Sequence, residues 1–305
     1  MSEYKGIDDE FYSLSSDVYF KHFFSDSKML ALFLSTLWEK EIKPESITYD
    51  NTESNPPRNK EIIYDVVATI EDEGVKRIIR INLEMQNKDY ASLASRMEFY
   101  AARKYALSID QGDEYEKVSS ESIWFIGFKD LKKYTKDPTR WSKTYKCVSL
   151  EEGDILGGNS AIRLLFLKNK ENCPIMEIEE FLKMFEKLDP ANLPEVKGTL
   201  AKEARRMVLE MNNDRKLKND AFSHEMFLRD QAAMLAESEA KGLAEGEARG
   251  LSKGKAEGLA EGLAEGEVKK TIEMVKRMKM MGLENEIIAQ AANISLEELN
   301  KILDK

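Results

Sequence analysis

The sequence predicts an α/β fold, a mixed central sheet flanked by helices and followed by a long helical C-terminal tail. Three observations predict it. Apolar runs of strand length alternate with helical periodicity through the first 190 or so residues, an order that implies helices on the faces of a sheet. A β-hairpin pattern, EIIYDVVATIEDEGVKRIIRINLEMQN, occupies residues 61–87. From Pro194 onward the patterning is helical, with glycine at every fourth residue from Gly242 to Gly266.

The chain has 305 residues and 42% hydrophobic content, enough for one large domain with appendages. Its net charge of −10 argues against a surface coated in positive charge, while leaving room for a local basic groove. Two cysteines, Cys147 and Cys173, lack metal-ligand spacing. Two histidines, His22 and His224, nearly rule out a histidine-rich metal site. The polar start MSEYKGIDDE is unlike a signal peptide, and no apolar run approaches the ~18 residues of a membrane span. A reducing, cytoplasmic setting is the expectation.

In chain order, residues 1–15 read as a polar arm. Asp17 is placed to cap a short helix through about Phe24. A second helix starts at Asp26 or Ser27 and runs to about Lys40, with Met29, Leu30, Phe33, Leu34, Leu37 and Trp38 on its apolar face. Residues 42–59 are a proline-bearing connector with a short strand near 46–49. The hairpin follows, with Tyr64–Ala68 on one strand, a turn at Glu73-Gly74, and a return strand from about Lys76 to Gln86. A helix is expected from about Ala91 to Ile109, and a doubly buried strand at 123–128. The segment 129–146, KDLKKYTKDPTRWSKTYK, interleaves basic and aromatic residues. That mixture suits a nucleic-acid backbone and its bases, so Lys132, Lys133, Arg140 and Trp141 are candidate DNA contacts. A strand at 162–167 and a helix at 177–188, stopped by Asp189-Pro190, complete this part.

The hairpin carries the chemistry. Side chains on a strand alternate faces, so Ile79, Ile81, Leu83 and Met85 point one way and Arg80, Asn82, Glu84 and Gln86 the other. In a simple hairpin register Asp65 falls near Glu84 and Gln86. Mg²⁺ binds oxygen ligands and commonly takes only one or two protein carboxylates, so Asp65 and Glu84 are candidate ligands for Mg²⁺, with Mn²⁺ as a substitute. Such an ion stabilises the charge that builds on a phosphodiester.

Asp65 followed by a hairpin and Glu84-Met85-Gln86 resembles the PD-(D/E)XK nuclease core in its Glu-x-Gln form. Upstream, Asp17-Val18-Tyr19-Phe20-Lys21-His22-Phe23-Phe24 resembles the Asp…Phe-Lys…Phe helix of the Rpn family of recombination-promoting nucleases, also labelled putative transposases. Downstream, Arg96, Phe99-Tyr100, Tyr105 and Gly112-Asp113-Glu114-Tyr115 resemble that family's Arg…Tyr-Tyr…Tyr helix and Gly-x-x-Tyr segment. The resemblance covers residues 10–190 and implies a restriction-endonuclease-like core. It implies a metal-dependent DNA endonuclease linked to recombination or mobile elements, with Asp65, Glu84 and Gln86 as catalytic residues. Asp17 becomes a possible third carboxylate, and Arg96 and Tyr100 possible phosphate-positioning groups. Gln86 stands where lysine is usual and supplies only an amide, and Lys88, or Lys104 from the next helix, is a candidate to supply the missing charge. The competing class is a non-catalytic DNA-binding or oligomerisation protein that retains the nuclease fold.

Beyond Pro194, residues 196–218 and 221–240 read as helix. Each glycine of the Gly-x-x-x repeat costs roughly 1 kcal/mol in a helix relative to alanine. Close approach of a second helix along the small residues would offset that cost, so the tail is expected to self-associate; a solvated linker is the other reading. Residues 269–281 and 283–292, then Ser295–Glu298 as a capping box, form a small helical module. The expected organisation is a nuclease-like domain over 1–192, a helical connector over 193–240, the repeat over 241–268 and the module over 269–305. DNA and further copies of the chain are the expected partners, with no membrane involvement.

Overall fold

The computed structural model describes residues 10–50, 53–54, 62–72, 77–109, 114–187, 189–190 and 193–304. The expected turn at Glu73-Gly74 and the Gly112-Asp113 portion of the Gly-x-x-Tyr segment lie outside them. The chain forms two compact units, Met1–Phe227 and Leu228–Lys305.

The first unit opens with α1 (Asp17–Phe24) and α2 (Ser27–Trp38). Asp26 caps α2, its carboxylate accepting from the Lys28 and Met29 backbone N–H groups at 2.8 and 3.0 Å. Asp17 does not cap α1: Ser16 holds the N-cap position and Asp17 is the first helical residue. Its carboxylate is engaged by Lys21 and His224 instead.

Strands β1 (Ile47–Tyr49), β4 (Val66–Asp72), β5 (Arg77–Gln86), β6 (Val118–Ile126), β7 (Ser142–Tyr145) and β8 (Ser160–Phe166) form one mixed sheet in the order β1-β4-β5-β6-β8-β7. A separate two-stranded ladder pairs β2 (Glu53–Ser54) with β3 (Ile62–Ile63). Pairs β1/β4, β4/β5 and β7/β8 are antiparallel, whereas β5/β6 and β6/β8 are parallel. The parallel pairs are joined by crossovers, of which α3 (Leu93–Ala106) is the helical one. Strand β6 begins at Val118, five residues before the apolar run. Its polar start is held by pairing with β5 and β8 on both sides, and buried Ser122 Oγ accepts from Trp124 Nε1 at 2.7 Å.

The sheet has two packed faces. On one, Val66, Ala68, Ile81, Leu83, Ile123, Phe125 and Leu165 meet α1, α2, α4 (Met176–Leu182) and α5 (Thr199–Asn213). Phe20, Phe24, Phe33, Phe125, Phe181 and Phe185 make edge, tilted and stacked ring contacts there, with centroids 4.9–6.3 Å apart. On the other face Val67, Trp124, Ile126, Leu164 and Phe166 meet Leu93, Met97 and Tyr100 of α3. The alternation expected along β5 is realised, with Ile81 and Leu83 in the first cluster and Asn82 and Glu84 buried on the opposite side.

Helix α5 closes the first face. Asn212 exchanges two 2.8 Å hydrogen bonds with the Tyr12 backbone, and the Tyr19 hydroxyl donates to the Met211 carbonyl at 3.1 Å. The helix expected over 196–218 is broken at Asp214. This residue leaves helical geometry, and its carboxylate accepts from Lys216 and Leu217 N–H, capping a new helix, α6 (Arg215–Met280). In this first unit, Leu217 and Ala221 of α6 are buried in the same cluster as α5.

In the second unit Val275, Ile288, Ala289 and Leu299 make a small core with α7 (Asn285–Ala292) and α8 (Leu296–Leu303). The capping box at Ser295 and Glu298 is present. The glycine repeat lies within α6, and among the described residues a Cβ added at any of its seven glycines would meet nothing within 4 Å. No helix among the described residues is long and apolar enough to cross a membrane.

Candidate active site

Antiparallel pairing sets the site. Val66 lies opposite Leu83, so the residue before it, Asp65, falls beside Glu84. A bend at Asp65 turns its carboxylate along β5, where it accepts from the Met85 backbone N–H at 2.8 Å. Glu84 projects to the α3 side at 1% exposure.

Both carboxyls are held above the ordinary carboxylate range. For Asp65 the main cause is burial, then the charge of Asp17, opposed by Lys21 and the Met85 amide. For Glu84 burial dominates, then the charge of Asp65, opposed by Arg96. Glu84 Oε1 is buried and has no hydrogen-bond partner among the described residues. Two desolvated, mutually repelling carboxylates with an unsatisfied oxygen fit a hard divalent cation, which would relieve each of these costs. Among the described residues, no cluster of three or more His, Cys, Asp or Glu side chains is arranged to hold a metal ion, so water and substrate oxygens would complete a Mg²⁺ shell.

Cations surround the pair. Arg96, from the first turn of α3, lies 3.8 Å from Glu84 Oε2, donates to the Tyr90 hydroxyl at 2.7 Å and stands over the Tyr100 ring. Tyr100 is buried beneath it, in edge contact with Tyr64 and tilted on Trp124. On the other side Lys21 of α1 lies 3.4 Å from Asp65 Oδ1 and 2.9 Å from Asp17 Oδ2. Burial works against its charge, but Asp65 and Asp17 outweigh it and leave the ammonium above the ordinary lysine range.

Asp17 therefore reaches the site through Lys21. Gln86 follows Glu84 on the same strand face, and its amide Nε2 donates to the Lys88 carbonyl. Lys104 is placed away from the carboxylates, 3.4 Å from Asp50 in a cluster with Thr69 and Arg80. The basic segment docks at the Gln86 end of β5, because Lys133 Nζ and the Tyr134 hydroxyl bond the two oxygens of Asp89 at 2.8 and 2.7 Å. Arg140 pairs with Asp137, Lys132 is exposed, and Trp141 packs against the larger core cluster.

Two site residues were not singled out for a role by sequence reasoning. Lys21 and His224 join the site across 44 and 207 positions (65 − 21 and 224 − 17), and no local periodicity marks such contacts. The Phe-Lys pair in α1 was the one available signal for Lys21.

Neither the curated proteins nor the solved structures gave a match to the chain. A family model described as PD-(D/E)XK nuclease family transposase matches residues 14–238, spanning α1, the whole main sheet, α5 and the start of α6. The register that sets Asp65 beside Glu84 lies inside that span, and the chain belongs to the PD-(D/E)XK nuclease family transposases.

Proposed function

We propose that the protein is a metal-dependent endonuclease that hydrolyses phosphodiester bonds in DNA, in the setting of recombination or mobile elements. The observation that carries this reading is the buried Asp65–Glu84 pair with its unsatisfied Glu84 oxygen. Asp65 and Glu84 would hold Mg²⁺ or Mn²⁺. The bound ion supplies Lewis-acid stabilisation of the charge on the scissile phosphate.

The remaining work falls to side chains. Arg96, held by Tyr90 and stacked on Tyr100, presents a guanidinium suited to bidentate phosphate binding. Lys21 places an ammonium beside Asp65 and takes the electrostatic part that lysine would play at position 86. Gln86, turned onto the Lys88 carbonyl, borders the site on the same strand face as Glu84. Lys132, Lys133 and Arg140, with the Trp141 segment, would follow the DNA backbone beyond the Gln86 end of β5. The glycine-bearing part of α6 is assigned to self-association.

The test is plasmid cleavage by purified protein in Mg²⁺, in Mn²⁺ and in EDTA, beside Asp65→Ala and Glu84→Ala. Cutting that needs metal and falls at least about 100-fold in both variants supports the reading, since loss of even outer-shell partners costs 10–100-fold. Cutting that survives both substitutions overturns it. Binding of DNA without cutting in any metal would favour the non-catalytic reading, which Gln86 and the net charge of −10 keep in view.

A further inference from the structure

The carboxylate pair is served by a chain of contacts that begins outside the sheet. His224 Nε2, on the third turn of α6, lies 3.3 Å from Asp17 Oδ2. The same oxygen receives Lys21 Nζ at 2.9 Å, and Lys21 Nζ lies 3.4 Å from Asp65 Oδ1. The sequence runs imidazole, carboxylate, ammonium, catalytic carboxylate. We propose that His224 is a positioning residue for the nuclease centre: its Nε2–H donates to Asp17, fixes that carboxylate, and thereby holds the Lys21 ammonium against Asp65.

Three further features support it. Lys21 donates to Asp17 Oδ2 and His224 Nε2 lies 3.3 Å from the same oxygen, and an ammonium on a flexible stem needs a fixed acceptor to stay in one place. The backbone that carries His224 is anchored: Asp214 caps the start of α6, while Leu217 and Ala221 are buried beside α5. α5 is in turn tied to the residues just before and within α1 through Asn212–Tyr12 and Tyr19–Met211. Both ends of the His224–Asp17 contact are thus fixed by independent packing. Finally, the family match runs to residue 238, past the sheet and past His224. By this inference Asp17 serves the centre as the acceptor that places Lys21, and a free third carboxylate for a metal is not its part. The inference rests on the nuclease reading for its catalytic consequence and on the 3.3 Å approach of His224 Nε2 to Asp17 for the proposed hydrogen bond.

The experiment has two arms on the full chain. In the first, single-turnover cleavage is measured for wild type, His224→Ala, His224→Gln, Lys21→Ala and the Lys21→Ala/His224→Ala double variant. His224→Ala should lower the rate constant about 10-fold with little change in the DNA concentration needed for half-maximal rate. His224→Gln, whose amide nitrogen substitutes for Nε2, should recover most of the loss. In the Lys21→Ala background His224→Ala should cost no more than 2-fold, because the group it positions is gone; a merely structural role would give multiplying losses. Equal damage from alanine and glutamine, or full multiplication in the double variant, overturns the proposal. In the second arm, ¹H–¹⁵N spectra of the two imidazoles are recorded, with His22→Gln to assign them. An Nε2–H signal of His224 that moves in Asp17→Asn, while His22 stays put, supports the hydrogen bond even if no DNA is cut. A His224 signal indifferent to Asp17→Asn overturns it.

Discussion

Glu84 and Asp65 concentrate two opposing demands in one place. Each carboxyl is pushed up chiefly by burial, so the folded protein binds their protons more tightly than the unfolded chain does. Stability then falls as pH rises from the ordinary carboxylate range through the raised values, and stays at the lower level above them. Asp65→Asn and Glu84→Gln should therefore raise the melting temperature at neutral pH in EDTA, by roughly 1–3 kcal/mol of stability. The gain should shrink toward zero as pH is lowered into the ordinary carboxylate range. Adding Mg²⁺ should stabilise the wild type and neither variant. Circular-dichroism melts across pH, with and without the ion, check all three expectations. At Lys21, alanine should lower the cleavage rate constant about 100-fold, and arginine, which keeps the charge but is bulkier, should recover only part. A Lys21→Ala rate within 3-fold of wild type would remove this residue from the site.

At the scale of elements, the site depends on how α1 is clamped. Asn212→Ala would remove the two hydrogen bonds that this side chain exchanges with the Tyr12 backbone inside the core. Each hydrogen bond lost costs about 0.5–1.5 kcal/mol, so urea unfolding should show a loss of about 1–3 kcal/mol. At the end of β6, a Cβ at Gly127 would come 2.8 Å from Asn87 Oδ1. Gly127→Ala should therefore disturb the residue that follows Gln86, visible as a weakened Asn87–Ser15 hydrogen bond. These elements also show what the sequence made legible. The Asp65–Glu84 juxtaposition could be read because hairpin register and period-two alternation are local properties of residues 61–87. The start of β6 could not, since Ser120, Glu121 and Ser122 join the strand only through pairing with both neighbours. Asp17 has the chemistry of a helix cap, and only the tertiary approach of His224 and Lys21 shows its other use. The break at Asp214 sits at Asn212-Asn213-Asp214, a local cap signal enclosed between two longer helical patterns that read as one.

At the scale of the whole molecule, the sheet-bearing unit extends through Phe227, which separates two truncations. A protein ending at residue 238 keeps the family span, His224 and the buried Leu217 and Ala221. It should retain metal-dependent cutting while losing any mass contributed by pairing of the tail. Light scattering of that protein beside the full chain checks the second point, and an equal oligomer number in the two would sink tail-mediated pairing. A protein ending at residue 213 loses those contacts and should be both less stable and slower. The seven glycines of α6 bear on the same question from another side. Among the described residues none has a neighbour that a methyl group would touch, so no close contact among them requires glycine there, and each leaves its own backbone less committed to the helix. In dilute solution their amides should exchange with deuterium far sooner than those of β5 and β6. The exchange rate should fall with protein concentration if a second copy covers the stripe, making the repeat a built-in gauge of assembly.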